Sequence, residues 1–551
     1  MKKTVIIGGV AGGASCAARL RRLNETAQIV VLERGDYISY ANCGLPYHVG
    51  DVIPQRASLM LQTPQAMKKK FNIDVRVRNE VVAIDRQNKQ VQVKNLESGE
   101  VYAEPYDTLV IATGSSPLRP AIPGIESERI QTLWTVPDAD RIRAMVYGGN
   151  NKTAAVIGGG FIGLEMAENL HKAGLKVSIV EAAPQVMAPM DTEMAALLHE
   201  NIRQNGVELY LGDGVSSFQE SESGVKIALS SGKQLEVDFV VLAIGVRPNS
   251  QLAKDAGLEL NQRGGICVDE FLRTSDPSIY AVGDAIEVED FIFKDRTMVP
   301  LAGPANKQGR IAADNIAGGH ESYRGTQGTS VAKVFDLTSA STGANEKTLA
   351  KRGLVKGNDY ESILITQNSH AGYYPGALPM TLKLLFAADG SKIFGAQIVG
   401  FDGVDKRIDT LAVAIRLGAG VSALKELELA YAPPFSSAKD PVNMAGFVAE
   451  NVLRGLMAFS HWDLQQEDAD MTLLDVREEM ELMVFSVPGA VHIPLGELRD
   501  RMQELDPEKE IIILCGIGVR AYNAARILMQ NGFKKVKVYP GGSRFYQSTH
   551  R

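Results

Sequence analysis

The sequence predicts an α/β chain of several domains, and three observations carry that expectation. At roughly 150 residues per domain, 551 residues are more than one hydrophobic core organises. Glycine is in excess, with 53 residues, and gathers in short clusters directly after apolar strands. Finally, TVIIGGVAGGASCAARLRRL followed by IVVLERG is echoed about 150 residues later by AAVIGGGFIGLEMAENLHKAG followed by VSIVEAA. Each copy reads as apolar strand, glycine turn, helix with a small-residue face, and second strand ending in Glu. That is the βαβ unit of a doubly wound sheet.

In chain order, the first copy covers about residues 1–35 and the second about 152–183. Between them, DVRVRNEVVAIDRQNKQVQVKN and the stretch through YDTLVIATGSSP alternate apolar and polar positions, as strands with one wet face do. VKIALSSGKQLEVDFVVLAIGVRPN repeats that form after the second copy. A further unit of strands and helices follows, including LKLLFAADGSKIFGAQIVG and the helix DTLAVAIRLG. The last unit begins near His461 and contains LLDVRE, PGAVHIP, EIIILCGIGVRAYNAARILMQNGF and VKVYPGG. No low-complexity linker precedes it, so a short connection and a docked tail are expected. The expected divisions are 1–150 with 245–325, then 151–244, 326–456 and 461–551.

Composition narrows the function. Hydrophobic residues at 45%, charged residues at 22% and a mean hydropathy of −0.06 are ordinary globular usage. No apolar run approaches the ~18 residues of a spanning helix, and no membrane partner is expected. MKKTVIIGG is too short in its apolar part for a signal peptide and reads as a first strand. A net charge of −7, from 58 Lys+Arg against 65 Asp+Glu spread throughout, recommends no nucleic acid. The four cysteines at 16, 43, 267 and 515 form neither a disulfide framework nor a CxxC pair. A cytoplasmic chain with single reactive thiols and no metal is the expectation, with Cys16 and Cys267 in the core.

Gly158, Gly160 and Gly163 make a complete GxGxxG between a strand and a helix, where glycines let the backbone approach a pyrophosphate at the helix N-terminus. Glu181 ends the next strand, placed to accept ribose hydroxyls, and Ala182 and Ala183 offer no cation for a 2′-phosphate. NADH is therefore expected, with NADPH as the alternative. In the first loop Gly8, Gly9, Gly12 and Gly13 surround Val10, where a middle glycine would stand. Glu33, the run Ala112, Thr113, Gly114, and IYAVGDA with Gly283 and Asp284 support that loop, Asp284 being placed for a ribityl hydroxyl.

With these motifs the chain resembles the two-dinucleotide-domain flavoprotein disulfide reductases. The resemblance implies FAD on the first domain, held around Gly8, Ala11, Gly12, Gly13, Glu33, Arg34, Asn42, Val82, Ala112, Thr113, Gly114, Gly283, Asp284, Pro300, Leu301 and Ala302. It implies the nicotinamide dinucleotide around Gly158, Gly160, Phe161, Ile162, Gly163, Glu181 and Gly245. A typical disulfide reductase of this fold has a second cysteine five residues after the first, but Cys43 in SYANCGLPYHVG is followed there by His48. A lone thiol must take its sulfur partner from outside, as a mixed disulfide or a persulfide.

Around Cys43 the chain looks like the coenzyme A disulfide reductase branch. That likeness implies a coenzyme A entry lined by Ser15, Arg19, Arg22, Ser39, Asn42 and Lys439, with Asn42 beside the thiol and the two arginines gripping phosphates. The alternative for the arginines is a solvated basic helix face. Phe71 stands where the branch would place a lysine, and Lys70 beside it is the expected substitute. Val10, Ala11 and Gly12 replace the histidine of the NADH oxidase and peroxidase branch, which disfavours oxygen chemistry. Tyr373 in HAGYYPGA and Tyr431 in LAYAPPFSSAKDP match tyrosines that reach the cysteine from a partner subunit, so the resemblance implies a homodimer.

Cys515 follows the strand EIIIL and opens the loop CGIGVR, whose backbone N–H groups and Arg520 would cradle a sulfur anion. With LLDVRE and PGAVHIP, this resembles a single rhodanese domain, in which Asp475 and Arg477 form a structural pair. The short loop favours sulfur transfer over phosphatase chemistry.

The complete expectation is an α/β protein with two Rossmann-like FAD/NAD(P)-binding domains, an α+β dimerisation domain and a C-terminal α/β rhodanese domain. Its expected activity is NADH-dependent reduction of coenzyme A persulfide or polysulfide, with Cys43, Cys515, Tyr373, Tyr431, Asn42 and Arg520 as the reacting set. A coenzyme A disulfide reductase for thiol homeostasis and a redox-sensing flavoprotein are the alternatives.

Overall fold

The computed structural model describes residues 2–149, 151–464 and 470–550. The chain forms two compact units, residues 1–184 with 210–328 and residues 185–209 with 329–551.

In the first unit, short runs rich in Val, Ile and Leu are suited to strands covered on both faces. They build a parallel sheet in the order Ile279–Ala281, Thr108–Ile111, Lys3–Ile7, Gln28–Leu32, Asp74–Arg76. The echo repeats the arrangement with Lys176–Glu181, Thr153–Ile157, Phe239–Leu242 and Ile130–Gln131, again parallel. The alternating stretches become antiparallel meanders: Asn79–Asp85, Gln90–Asn95 and Val101–Pro105, and then Val215–Glu220, Val225–Leu229 and Gln234–Val237.

The helix Ala11–Leu23 packs against the helix Ala302–Ile316. A Cβ on Gly309 would lie 2.2 Å from the Gly12 carbonyl oxygen, and one on Gly13 would lie 2.0 Å from that of Gly8. The two helices and the first glycine loop can close on one another only without side chains there. Cys16 is fully buried on this small-residue face. Cys267 departs from the expectation of a core residue: it ends the two-residue strand Ile266–Cys267, half-buried, with its sulfur 3.8 Å from Glu287.

In the second unit, an antiparallel sheet runs in the order Ser330–Val334, Leu337–Gly343, Ile393–Gly400, Pro379–Ala387, Tyr360–Asn368. The expected helix DTLAVAIRLG is longer, Val404–Arg416, and packs on the strands Leu337–Gly343 and Ile393–Gly400. The helix Thr192–Gln204 also packs here, although it follows the second glycine motif in sequence. Its first turn brings Asp191 and Glu193, together with Glu346, onto the ammonium of buried Lys383; Asp191 lies at 2.8 Å and Glu346 at 3.3 Å. A four-stranded parallel sheet closes the unit, in the order Val491–His492, Met471–Asp475, Glu510–Leu514, Val536–Val538. No helix among the described residues is long and apolar enough to cross a membrane.

Two stability predictions follow from this packing. Gly309→Ala should lower the melting temperature, at about 1–3 kcal/mol for overpacking, whereas Gly496→Ala, with no neighbour within 4 Å, should be near neutral. Lys383→Met leaves buried carboxylates without a counter-charge and should cost about 3–5 kcal/mol by denaturant titration.

Candidate active sites

The two glycine loops carry the same electrostatic arrangement. Glu33 accepts the backbone N–H of Gly9 at 2.8 Å on one oxygen and that of Gly35 at 2.7 Å on the other. Glu181 does the same with Gly159 at 2.6 Å and Ala183 at 2.8 Å. Each carboxylate oxygen keeps acceptor capacity for a ribose hydroxyl. A Cβ on Gly160 would meet nothing within 4 Å, so this loop fronts open space that a pyrophosphate can approach. Phe161 and Ile162 begin the helix Phe161–Lys172, Gly163 packs its turn onto Gly158, and Gly245 holds a left-handed conformation.

On the first domain Asp284 accepts from the Ser115 hydroxyl at 2.8 Å, and burial pushes its carboxyl pKa up, a cost that ribityl hydroxyl donors would relieve. Thr113 donates to the Asn249 carbonyl at 2.6 Å and Asn249 returns a bond to the Thr113 carbonyl at 2.9 Å, fixing the loop of Ala112 and Gly114. Ala11 begins the first helix beside Gly12 and Gly13. Leu301 and Ala302 open the 302–316 helix, and Pro300, Arg34 and Val82 are exposed. The donor and acceptor set thus fits a flavin dinucleotide on the first loop and a nicotinamide dinucleotide on the second.

Cys43 lies in the turn Asn42–Gly44, which leads into the short helix Leu45–Val49. Asn42 Oδ1 accepts the Cys43 N–H at 3.1 Å and lies 3.8 Å from the sulfur. The thiol is open to solvent on one side, while the surrounding protein raises its pKa by desolvation, followed by the charges of Glu165 and Asp284. His48 cannot serve as a mobile partner. It is buried, Nδ1 bonds the Ile53 carbonyl at 2.7 Å, and its own carbonyl accepts from Arg143 at 2.6 Å. Beneath the turn, Tyr47 donates to Glu165 at 3.3 Å; burial lifts Glu165 to about 7 and Tyr47 to about 12. No spacing rule marked Glu165, because its place one turn into the second glycine helix becomes relevant only when that helix packs beside residues 45–49.

A cavity of about 360 Å³ runs along the first helix, lined by Ser15, Arg19, Arg22, Ser39 and Phe71 among others. Arg19 differs from the expected free phosphate ligand: Asp314 grips it with contacts of 2.6 and 3.1 Å. Arg22 lies over the Phe71 ring at 5.5 Å. Lys70 is exposed on the helix Pro64–Phe71 and is not among the lining residues, whereas Phe71 is. Ser39 holds a left-handed backbone with φ 42°, which turns the chain at the cavity edge.

In the second unit the Tyr373 and Tyr431 hydroxyls meet at 2.8 Å on an exposed surface, Tyr373 being 77% exposed. Tyr374 instead sets its ring edgewise on His370, which separates the two neighbours by role. Lys439 is exposed, one residue before Asp440, which caps the helix Pro441–Leu453.

Cys515 is buried at the end of its strand, and its sulfur accepts the N–H of Gly518 at 3.1 Å and of Ala521 at 3.4 Å. Arg520 is not directed at the sulfur alone: Glu481 binds it at 2.5 and 2.7 Å, an ion pair that depresses the Glu481 carboxyl to about 2. The cradle is therefore mainly backbone. Asp475 and Arg477 form a buried pair at 2.6 Å, with Arg477 also donating to the Phe485 carbonyl at 2.9 Å.

Residues 2–309 match the pyridine nucleotide-disulphide oxidoreductase family, 329–441 its dimerisation domain and 460–549 the rhodanese-like domain. The chain belongs to the pyridine nucleotide-disulphide oxidoreductase family and is an oxidoreductase whose family implies FAD and NAD(P)H. It is 34% identical to the coenzyme A disulfide reductase of Staphylococcus epidermidis over 451 residues, 82% of this chain and 100% of that protein. Reduced CoADR-RHD of Bacillus anthracis superposes with a TM-score of 0.96 at 50% identity, covering 100% of this chain and 98% of that one. The NAD-dependent persulfide reductase of A. fulgidus does so with a TM-score of 0.92 at 39% identity, covering 98% and 99%.

Glu165 loses its proton between about pH 6 and 8, and its charge then holds the Cys43 thiol protonated to higher pH. In reduced holoenzyme, Glu165→Gln should shift the alkylation profile of Cys43 to lower pH and raise its rate at pH 8 roughly threefold. Superimposable profiles would remove Glu165 from control of the thiol.

Proposed function

We propose that the protein reduces coenzyme A persulfide, and polysulfide through it, to sulfide and coenzyme A with NADH, as a cytoplasmic homodimer. The observation that carries this reading is a lone, solvent-facing Cys43, with His48 locked in structural bonds where a second cysteine would stand, in one chain with a backbone-cradled Cys515. FAD, when bound, supplies the two electrons of NADH to sulfur at Cys43.

The Cys43 thiolate attacks the inner sulfur of coenzyme A persulfide. A Cys43–coenzyme A disulfide forms and hydrosulfide leaves. Two electrons and one proton then restore the Cys43 thiolate and release coenzyme A as its thiol. Asn42 orients the turn, and the Tyr373–Tyr431 pair, arriving from a partner subunit, would supply the proton to the leaving sulfur. Exposed Tyr373 and Phe435, the latter 71% exposed, support a second copy on that face. Cys515 accepts a sulfane sulfur from polysulfide and passes it to the coenzyme A thiol, its N–H donors stabilising the sulfur anion.

The similarity to coenzyme A disulfide reductases over 82% of the chain favours a second reading, reduction of coenzyme A disulfide for thiol balance. Sulfide release and NADH oxidation with coenzyme A persulfide, beside coenzyme A disulfide, separate the two. Cys43→Ser should abolish both reactions. Cys515→Ser should spare reduction of preformed coenzyme A persulfide and lower polysulfide reduction at least tenfold. A faster rate on the disulfide than on the persulfide would replace the proposal with the second reading.

A further inference from the structure

The cavity beside the first helix contains an arginine that no motif indicated. Asn306, Arg310 and Asp314 recur every fourth residue along the 302–316 helix and therefore share one face. The flanking two are tied across to the first helix, Ser15 donating to Asn306 at 2.5 Å and Arg19 to Asp314 at 2.6 Å. Arg310 sits between these cross-links, lines the cavity, and has no carboxylate within ion-pair distance among the described residues. Arg19 has its charge matched by Asp314, so the unpaired cations of the cavity wall are Arg22 and Arg310. The wall itself is firmly held. Buried Arg21 donates to the carbonyls of Phe71 at 2.7 Å and Asn72 at 2.9 Å, fixing the aromatic side against which Arg22 lies.

We infer that Arg310 is a second phosphate anchor, which with Arg22 selects a phosphorylated pantetheine thiol over an unphosphorylated one; this rests on the coenzyme A reading above. Arg19 is a positioning residue that, through Asp314, holds the two helices at the spacing the cavity requires. Two guanidinium groups on one wall suit a diphosphate, whose oxygens each accept charge-assisted hydrogen bonds.

The test is equilibrium binding of coenzyme A and of pantetheine to the oxidised holoenzyme at low and moderate salt. Arg310→Gln should weaken coenzyme A about ten- to a hundredfold, the range of a hydrogen bond to a charged group, leave pantetheine unchanged and flatten the salt dependence. Arg310→Lys should keep most of the affinity, and both variants should melt with the unaltered protein because the side chain is exposed and makes no ion pair. If Arg310→Gln binds coenzyme A normally, or loses coenzyme A and pantetheine equally, Arg310 is not a phosphate anchor. If the unaltered holoenzyme binds coenzyme A no better than pantetheine, the coenzyme A reading itself fails.

Discussion

The contact on which the first unit depends is the approach of two helices to glycine distance. Gly309 lies against the Gly12 carbonyl, and Gly13 against that of Gly8, with no room for one more carbon atom. Dense packing transmits displacement with little loss. The glycine loop at the start of the first helix and the cavity farther along it are therefore two ends of one rigid contact. The small-residue run AGGASCAA serves both: it permits the helix pair to close and it sets the arginines of the next turns beside Asn306, Arg310 and Asp314.

The two candidate thiols are prepared in opposite ways. Cys43 is accessible and has acidic neighbours, so its protonation follows the state of Glu165 and the carboxylates around it. Cys515 is buried at the base of its loop and faces the N–H groups of Gly518 and Ala521, with Arg520 bound by Glu481. An accessible thiol suits attack on an incoming disulfide bond, and a shielded one suits storage of a labile sulfur atom.

Much of the architecture was legible because it is written locally. A strand, a glycine turn, a helix and a terminal Glu sit within about thirty residues, and each constrains the next. The same holds for the loop after the strand of Cys515. What was not legible rests on partners distant in sequence. Asp314 takes the charge of Arg19 across 295 residues, Glu481 takes that of Arg520, and Glu165 acts on Cys43 only because its helix packs beside residues 45–49. Residues 185–209 continue the second dinucleotide motif in sequence, yet they belong to the second unit, where their acidic first turn finds its counter-charge in Lys383 of that unit's sheet. The order of residues along the chain is silent on which core receives this helix.

That last placement has a consequence for how the chain is made. The polypeptide passes between its two units three times, so neither is complete when its first part leaves the ribosome. Glu193 emerges 190 residues ahead of Lys383. At about 5–20 residues per second this helix waits about ten to forty seconds, its apolar face and its carboxylates unmatched, before the strand that neutralises them exists. Completion of either unit in strict N-to-C order is closed to this protein, and the helix completes its packing only when the second unit arrives.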